Sequence, residues 1–248
     1  MPLSITVIMP VRNGLAFFAG AMECVQSQAY SPLQLVIVDD GSSDGSFEYA
    51  QRTGARVLQT QGAGPAAARN AAIRATTSDC VALLDVDDLW PLGTLHLLAA
   101  ALESEAEAGF AQGLIQNFRV LDDGSKRFFT RPYRFLNLGA CLYRRSLFEQ
   151  VGLLDESLRT AEDLDFLMRC WEQDIRKAEV DAVTLYYRRH PNNMTAGLQG
   201  TDLGTVQAFK RRIDRIRAGQ YDPNVPRRVP SYEYLGTAPA SQDEQVAC

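Results

Sequence analysis

The sequence predicts an α/β domain built on a doubly wound, mainly parallel sheet. Three observations carry this. Across the first half of the chain, short apolar runs rich in Val, Ile and Leu alternate with longer segments of helical periodicity. The second run is rich enough in Val, Ile and Leu to be a strand buried on both faces. Turn residues divide the runs, and the second and fourth end in clusters of aspartate.

The elements follow in order. ITVIMPV (5–11) is a β-branched strand, Asn13-Gly14 is turn chemistry, and LAFFAGAMECVQSQ reads as a helix. LQLVIVDD (33–40) is the second strand; GSSDGS turns the chain, and SFEYAQRTG is a helix closed by Gly54. ARVLQT is a third strand, and PAAARNAAIRATT a helix with Pro65 near its first turn. CVALLDV (80–86) is the fourth strand, and PLGTLHLLAAALESEAEA a helix opened by Pro91. Ligands of such sheets bind beyond the carboxyl ends of the strands, where Asp39, Asp40, Asp85 and Asp87 fall.

The second half changes character. FAQGLIQNFRVLDDGSKRFFTRPY carries Asp123-Gly124 between two mixed runs, a hairpin signal. NLGACLYRRSLFEQVG holds a strand and a short helix. AEDLDFLMRCWEQD is amphipathic, with Leu164, Leu167, Met168 and Trp171 on one face. AVTLYYRRH is a strand, and DLGTVQAFKRRIDRIRAG a final helix with a basic outer face. From about residue 221 the chain is rich in Pro, Ser and charge, as in a tail or extended arm.

Composition narrows the classes. A net charge of −5 argues against a broad nucleic-acid-binding face. No apolar segment approaches the ~18–20 residues of a membrane span. The first apolar run lacks a preceding basic region and is broken by Pro10, so no signal peptide is expected. The five cysteines are odd in number and form no C-x-x-C pair, which reads as reduced thiols of a cytosolic protein. Two histidines make a His- and Cys-rich zinc site improbable.

LLDVDDLWP (83–91) places three carboxylates within four positions. At a strand end Asp85 and Asp87 point to the same side, a hard-oxygen pair suited to Mg²⁺ or Mn²⁺. An EF-hand-like loop fails, since Trp90 and His96 occupy the positions that need Gly and Glu. A helix start with Asp88 as N-cap explains the stretch equally well on its own. In VIVDDGSSDGS, turn chemistry accounts for residues 41–44 but not for two adjacent carboxylates at a buried strand's mouth. There Asp39 is placed to accept from an N–H of a bound base.

Two further patterns compete. Gly41-Ser42-Ser43-Asp44-Gly45 fits G-x-S-x-G, with Asp163 and His190 following in triad order, so a serine hydrolase using Ser43 is a second reading. No Gly-rich oxyanion loop precedes it, and the flanking aspartates disfavour an oxyanion. Gly62-Ala63-Gly64-Pro65-Ala66-Ala67 matches G-x-G-x-x-A but follows the third strand, a weak dinucleotide signal. Arg69 sits in the helix behind it. Glu162 and Asp163 open a helix, where capping explains them as readily as general-base chemistry does. His190 ends a strand beside Arg188 and Arg189 and is able to face an anionic ligand or an ion.

Taken in order, ITVIMPVRN, LVIVDDGSSDGS, GAGPAAARNAAI, VALLDVDDLWPLG, GACLYRRSLFEQVGLLDE, AEDLDF and YRRHPNNMT resemble glycosyltransferase family 2, over roughly residues 3–195. The resemblance implies the GT-A fold, a Rossmann-like mixed sheet flanked by helices. It implies a GT-A domain over 1–200, with a nucleotide-binding half of about 1–100 and an acceptor half of about 101–200; residues 201–248 are a C-terminal helix and tail. It further implies an inverting enzyme using a nucleotide-diphosphate sugar, most commonly a UDP-sugar, with Mn²⁺ or Mg²⁺. By similarity Pro10 and Asp39 line the nucleoside pocket, Arg69 lies near base or ribose, and Arg12 stands where the family more often has Tyr. Asp85 and Asp87 resemble the D-x-D pair, with Asp87 as metal ligand, Asp85 on ribose or ion, and His190 completing the metal and diphosphate environment. Asp163 resembles the family's catalytic base. A non-catalytic sugar-nucleotide binder is a third reading, opposed by the joint presence of Asp85, Asp87 and Asp163. The acceptor (saccharide, lipid-linked, peptide or small molecule) is not legible. The final helix offers a contact for a second subunit, or for a membrane's inner face, beside the plainer reading of a solvated surface.

Overall fold

The computed structural model describes residues 2–135, 137–194, 196 and 204–219. The tail expected from about residue 221 lies outside the described residues. Four strands, β1 (Ile5–Val11), β2 (Leu33–Asp39), β3 (Arg56–Gln59) and β4 (Cys80–Leu83), alternate with helices α1 (Leu15–Gln26), α2 (Ser46–Arg52) and α3 (Pro65–Arg74). Helix α4 (Thr94–Ser104) leads into β5 (Ala108–Val120) and β6 (Lys126–Phe128). Then come β7 (Cys141–Arg144), α5 (Arg145–Val151), α6 (Glu162–Glu172), β8 (Arg176–Arg188) and α7 (Thr205–Arg217). These strands form one sheet in the order β3-β2-β1-β4-β7-β5-β6, with β8 on β5. The pairs among β1 to β4 are parallel, β7 runs antiparallel to both its neighbours, and β8 is parallel to β5.

Alternation along the strands builds two cores. Ile5, Val7, Met9, Cys80 and Ala82 point to the face covered by α1 and α4, where Phe18, Leu95 and Leu98 pack. Ile8, Val81 and Leu83 point to the other face, against Ala68, Ile73, Phe148 and Phe166 of α3, α5 and α6. Both faces are buried, which is why these strands read as mostly apolar runs. The four described cysteines, Cys24, Cys80, Cys141 and Cys170, are free and buried.

Two local expectations are corrected and a third is extended. Strand β4 stops at Leu83, so Asp85 and Asp87 owe their directions to a turn, not to strand alternation. Leu84 N–H still donates to Ile8 C=O at 3.0 Å. The next donor on β1 would be Pro10, which has no N–H, and the ladder ends. Pro91 does not open α4: it begins the turn that closes with Thr94 N–H on Pro91 C=O at 3.3 Å, and Gly93, at φ +78°, supplies the left-handed residue before the helix. Finally, the basic residues of α7 are divided: Lys210, Arg211 and Arg217 keep a basic outer face, while two arginines turn inward. Arg212 is buried, and Arg215 donates to Asp165 Oδ1 at 2.8 Å and to Glu172 Oε2 at 3.0 Å on α6. A small apolar cluster of Leu164, Met168 and Ala208 joins the same two helices.

Candidate functional site

The carboxyl ends of β1 and β2 form the first part of the site. Register places Pro10 beside Val38 and Val11 beside Asp39. Asp39 is 1% exposed; its Oδ2 accepts from Ser42 N–H at 3.3 Å, and its Oδ1 has no partner among the described residues. A buried carboxylate oxygen in that state is held ready for a donor. The adjacent Asp40 does different work. It accepts from Thr60 Oγ at 2.6 Å and from the N–H groups of Ala63 and Gly64 at 2.9 Å, pinning the loop before α3. That loop meets the Gly41 turn closely: a Cβ on Gly41, whose φ is +76°, would lie 3.3 Å from Gly62 N. Arg12 is exposed, and its guanidinium lies along Gly62. Pro10, Arg12 and Asp39 are thus gathered at one rim.

The acidic turn after β4 forms the second part. Asp88 N–H donates to Asp85 C=O at 3.0 Å and closes the turn. Arg69 of α3 reaches across: Nη2 donates to Asp85 Oδ1 at 2.6 Å, and Nη1 to Glu162 Oε1 at 2.7 Å. Burial acts to lower the Arg69 pKa, but the Asp85 and Glu162 carboxylates outweigh it and the value is raised. Arg69 is thus committed to two carboxylates, and what it offers a bound base or ribose is its remaining N–H edge.

Asp87 turns the other way. Its Oδ2 lies 3.0 Å from His190 Nε2, and its backbone C=O accepts from Arg188 Nε at 2.6 Å. Burial and the neighbouring Asp85 raise the Asp87 pKa, while His190 opposes the rise. Asn193 holds in place the strap that follows β8 (residues 189–194): its Oδ1 accepts from His190 N–H at 2.6 Å, and its amide donates to Arg188 C=O at 3.0 Å and to Asp87 Oδ2 at 3.4 Å. Asp88 is not a helix cap. It is buried, its pKa is raised chiefly by burial, and its Oδ1 accepts from Arg188 N–H at 2.8 Å. The Arg188 guanidinium sits over both Phe17 and Phe118, 5.1 Å from each ring centre.

Asp163 lies in the first turn of α6, after Ala161, which adopts φ +63°. Its Oδ1 accepts from Leu164 N–H at 2.7 Å. Burial, and next the Glu162 charge, push its pKa up to about 6, against the pull of Arg69. A half-buried carboxyl that titrates near neutrality is suited to taking a proton. The structure therefore brings Asp85 and Asp87 onto one turn, joins His190 to Asp87, and links Asp85 to the residue beside Asp163. Ser43 does not complete a triad. Its hydroxyl donates to Asn13 Oδ1 at 3.3 Å, while His190 is engaged with Asp87. Glu162 and Arg188, read in the sequence only as neighbours of Asp163 and His190, and Asn193, not singled out there, bear on the acidic turn: Glu162 through Arg69, Arg188 and Asn193 directly. The sequence signals were the pairing of Glu162 with Asp163 and the place of Arg188 beside His190; Pro191 and Asn192 before Asn193 are the turn residues that point to the third.

A mainly parallel sheet whose strand mouths converge on an acidic turn, crossed by an antiparallel strand and closed by a strap from β8, is the architecture of GT-A glycosyltransferases. The Staphylococcus aureus TarS 1–349 structure in complex with UDP-GlcNAc superposes with a TM-score of 0.65 at 20% identity, over 79% of this chain and 62% of that one. Mannosyltransferase PcManGT from Pyrobaculum calidifontis, in complex with GDP-Man and Mn²⁺, gives 0.62 at 19% identity, over 91% of this chain and 66% of that one. The chain belongs to glycosyl transferase family 2: the family's sequence profile matches residues 6–152, more than half of its length. Among relatives, the uncharacterized glycosyltransferase EpsJ of Bacillus subtilis is 27% identical, over 97% of this chain and 73% of EpsJ. The protein is a glycosyltransferase. Among the described residues no helix is long and apolar enough to cross a membrane.

Proposed function

We propose that the protein transfers a sugar from a nucleoside-diphosphate sugar, a UDP-sugar in the first instance, to an acceptor hydroxyl with inversion at the anomeric carbon. The observation that carries this reading is the placement of a carboxyl with pKa near 6, Asp163, one residue from a side chain joined through Arg69 to the acidic turn. Nucleotide-side and base-side groups, far apart in sequence, share one ion-paired network. Asp163 would take the acceptor proton as the acceptor oxygen attacks the sugar carbon opposite the leaving diphosphate. Asp39 would accept from the base through its unpartnered oxygen, with Pro10 and Arg12 along the same rim.

The side chains present also fit a divalent cation. Asp85 and Asp87 supply hard oxygens and His190 an imidazole nitrogen, a donor set suited to Mn²⁺ or Mg²⁺. The raised Asp87 pKa, caused first by burial and then by Asp85, is an electrostatic tension that a cation relieves. Among the described residues no three such side chains are already drawn together at metal-binding spacing, so diphosphate oxygens would complete the shell. When bound, the ion supplies Lewis-acid neutralisation of the departing diphosphate. PcManGT, seen with GDP-Man and Mn²⁺, and TarS, seen with UDP-GlcNAc, support this class of donor. The test is nucleotide release from a panel of UDP-, GDP- and dTDP-sugars with Mn²⁺ or Mg²⁺. Metal-dependent release from one nucleotide series supports the reading; release from none, by protein that binds no nucleotide, defeats it.

A further inference from the structure

One guanidinium holds the two halves of the site together. Arg69 is 5% exposed and Glu162 6%. The fork of Arg69 bonds Asp85 at 2.6 Å and Glu162 at 2.7 Å. Both bonds are charge-assisted and in the short range. Their geometry is set by a planar group, so the two carboxylates are fixed in angle as well as in distance. Asp85 is the more open partner, its side chain 39% exposed. Glu162 is the neighbour of Asp163 and part of the reason that carboxyl titrates high.

The charges explain why two acids are needed. An arginine buried on a single carboxylate forms a closed, neutral pair, and Asp85 would then have little attraction for a cationic or metal-loaded ligand. A second carboxylate on the same guanidinium leaves the group of three with one net negative charge. Arg69 is then divided between Glu162 and Asp85, and Asp85 keeps part of its charge for the outside. Resting on the reading of Asp85 as a donor-side ligand and Asp163 as the base, we propose that Arg69 and Glu162 are positioning residues. They form a buried strut that holds the acidic turn and the base at a set separation, and Glu162 keeps Asp85 open to a cation-bearing nucleotide.

Glu162→Gln is the informative variant, because Glu162 would touch neither nucleotide nor sugar. It removes the second negative charge while its amide oxygen is still able to accept from Arg69, so Asp85 becomes the one carboxylate on the guanidinium. Calorimetry with UDP or GDP and Mn²⁺, which needs no turnover, should show affinity weaker by ~10-fold, at the low end of what partners that orient metal ligands contribute. The acid limb of the nucleotide-release profile should move to lower pH, since a negative neighbour of Asp163 is gone. Arg69→Lys has one point charge for two carboxylates and should lower kcat by ~10–100-fold on the same scale, with a smaller change in KM. A role confined to folding would lower Tm and leave affinity, limb and kcat per folded molecule unchanged, and that result overturns the strut. Asp163→Asn separates the two levels. If it is inactive while both strut variants behave as wild type, the strut alone is wrong; if it turns over normally, the base reading falls and takes the strut with it.

Discussion

Asp87 and His190 are 103 positions apart in the chain, and their side chains meet at 3.0 Å. The contact is set by the backbone on both sides. Arg188 bonds the Asp87 carbonyl and the Asp88 carboxylate, and Asn193 fixes the His190 N–H. The strap after β8 is therefore latched to the acidic turn after β4, and the imidazole arrives with its Nε2 already aimed at the carboxylate.

The latch gives the first prediction. His190→Ala should weaken Mn²⁺-dependent nucleotide binding, and Asn193→Ala, which loosens the latch and removes a 3.4 Å amide donor from Asp87 Oδ2, should do so by ~10-fold, the smaller loss typical of a partner that orients a ligand. Asp87→Ala should remove most of the metal dependence. Calorimetry with UDP, with and without Mn²⁺, measures all three. Equal affinity in both conditions for wild type would reject the metal site outright.

Asp163 should act with the pH dependence of a base. Its pKa is near 6, so kcat/KM should fall about tenfold per unit as pH drops below that value and level off above it. Asp163→Asn should lower turnover by ~10²–10⁴-fold while nucleotide binding survives. Stability moves with a definite sign. The folded-state pKa lies above the ordinary carboxyl value, so the cost of ionising Asp163 in the fold builds as pH rises from about 4 to about 6 and is full above that, whereas below the ordinary carboxyl pKa both folded and unfolded chains hold the proton. The Asn variant should melt higher than wild type at pH 7.5, and the gap should close toward pH 4.

These roles were unequally legible in the sequence. The strands were readable because burial on both faces leaves mostly apolar runs, and the helices because α6 keeps one apolar stripe and α3 is an Ala-rich run opened by Pro65. Asp85 and Asp87 stood out by type and spacing. What they face did not, since the partners arrive from α3, α6 and the strap. Arg69 looks solvated in an Ala-rich helix until Glu162, 93 positions later, is folded against it. Asp88 reads as a cap because nothing local shows that the Arg188 N–H will reach it. The end of β4 depended on Pro10 in the neighbouring strand, a pairing that no window along one segment contains.

The adjacent carboxylates Asp39 and Asp40 should separate cleanly on mutation. Asp40 satisfies three donors and carries the α3 loop, so Asp40→Ala should destabilise by ~1–3 kcal/mol or more through unpaired buried groups. Asp39 has an oxygen with no partner among the described residues, so Asp39→Ala should leave Tm near wild type and cut nucleotide affinity. Differential scanning fluorimetry with and without UDP reads both effects. Equal Tm losses with equal ligand shifts would show that the two residues share one role.

The inward arginines of α7 give the last prediction. Arg215 binds Asp165 and Glu172, whose side chains are 1% and 7% exposed, and Arg212 lies 3.3 Å from Glu172. Removing one partner of a buried charge cluster exposes the others to an uncompensated low-dielectric environment, typically a loss of ~3–5 kcal/mol. Asp165 keeps Arg169 at 2.9 Å and Glu172 keeps Arg212, so Arg215→Ala should fall below that range, near ~2 kcal/mol. Urea unfolding should show a lower midpoint with an unchanged slope. Because the pair is buried, the loss should persist at high salt, where a solvated surface pair would be screened to nothing. A variant whose midpoint matches wild type at every salt concentration would place α7 outside the cooperative fold, as a helix resting on α6 without supporting it.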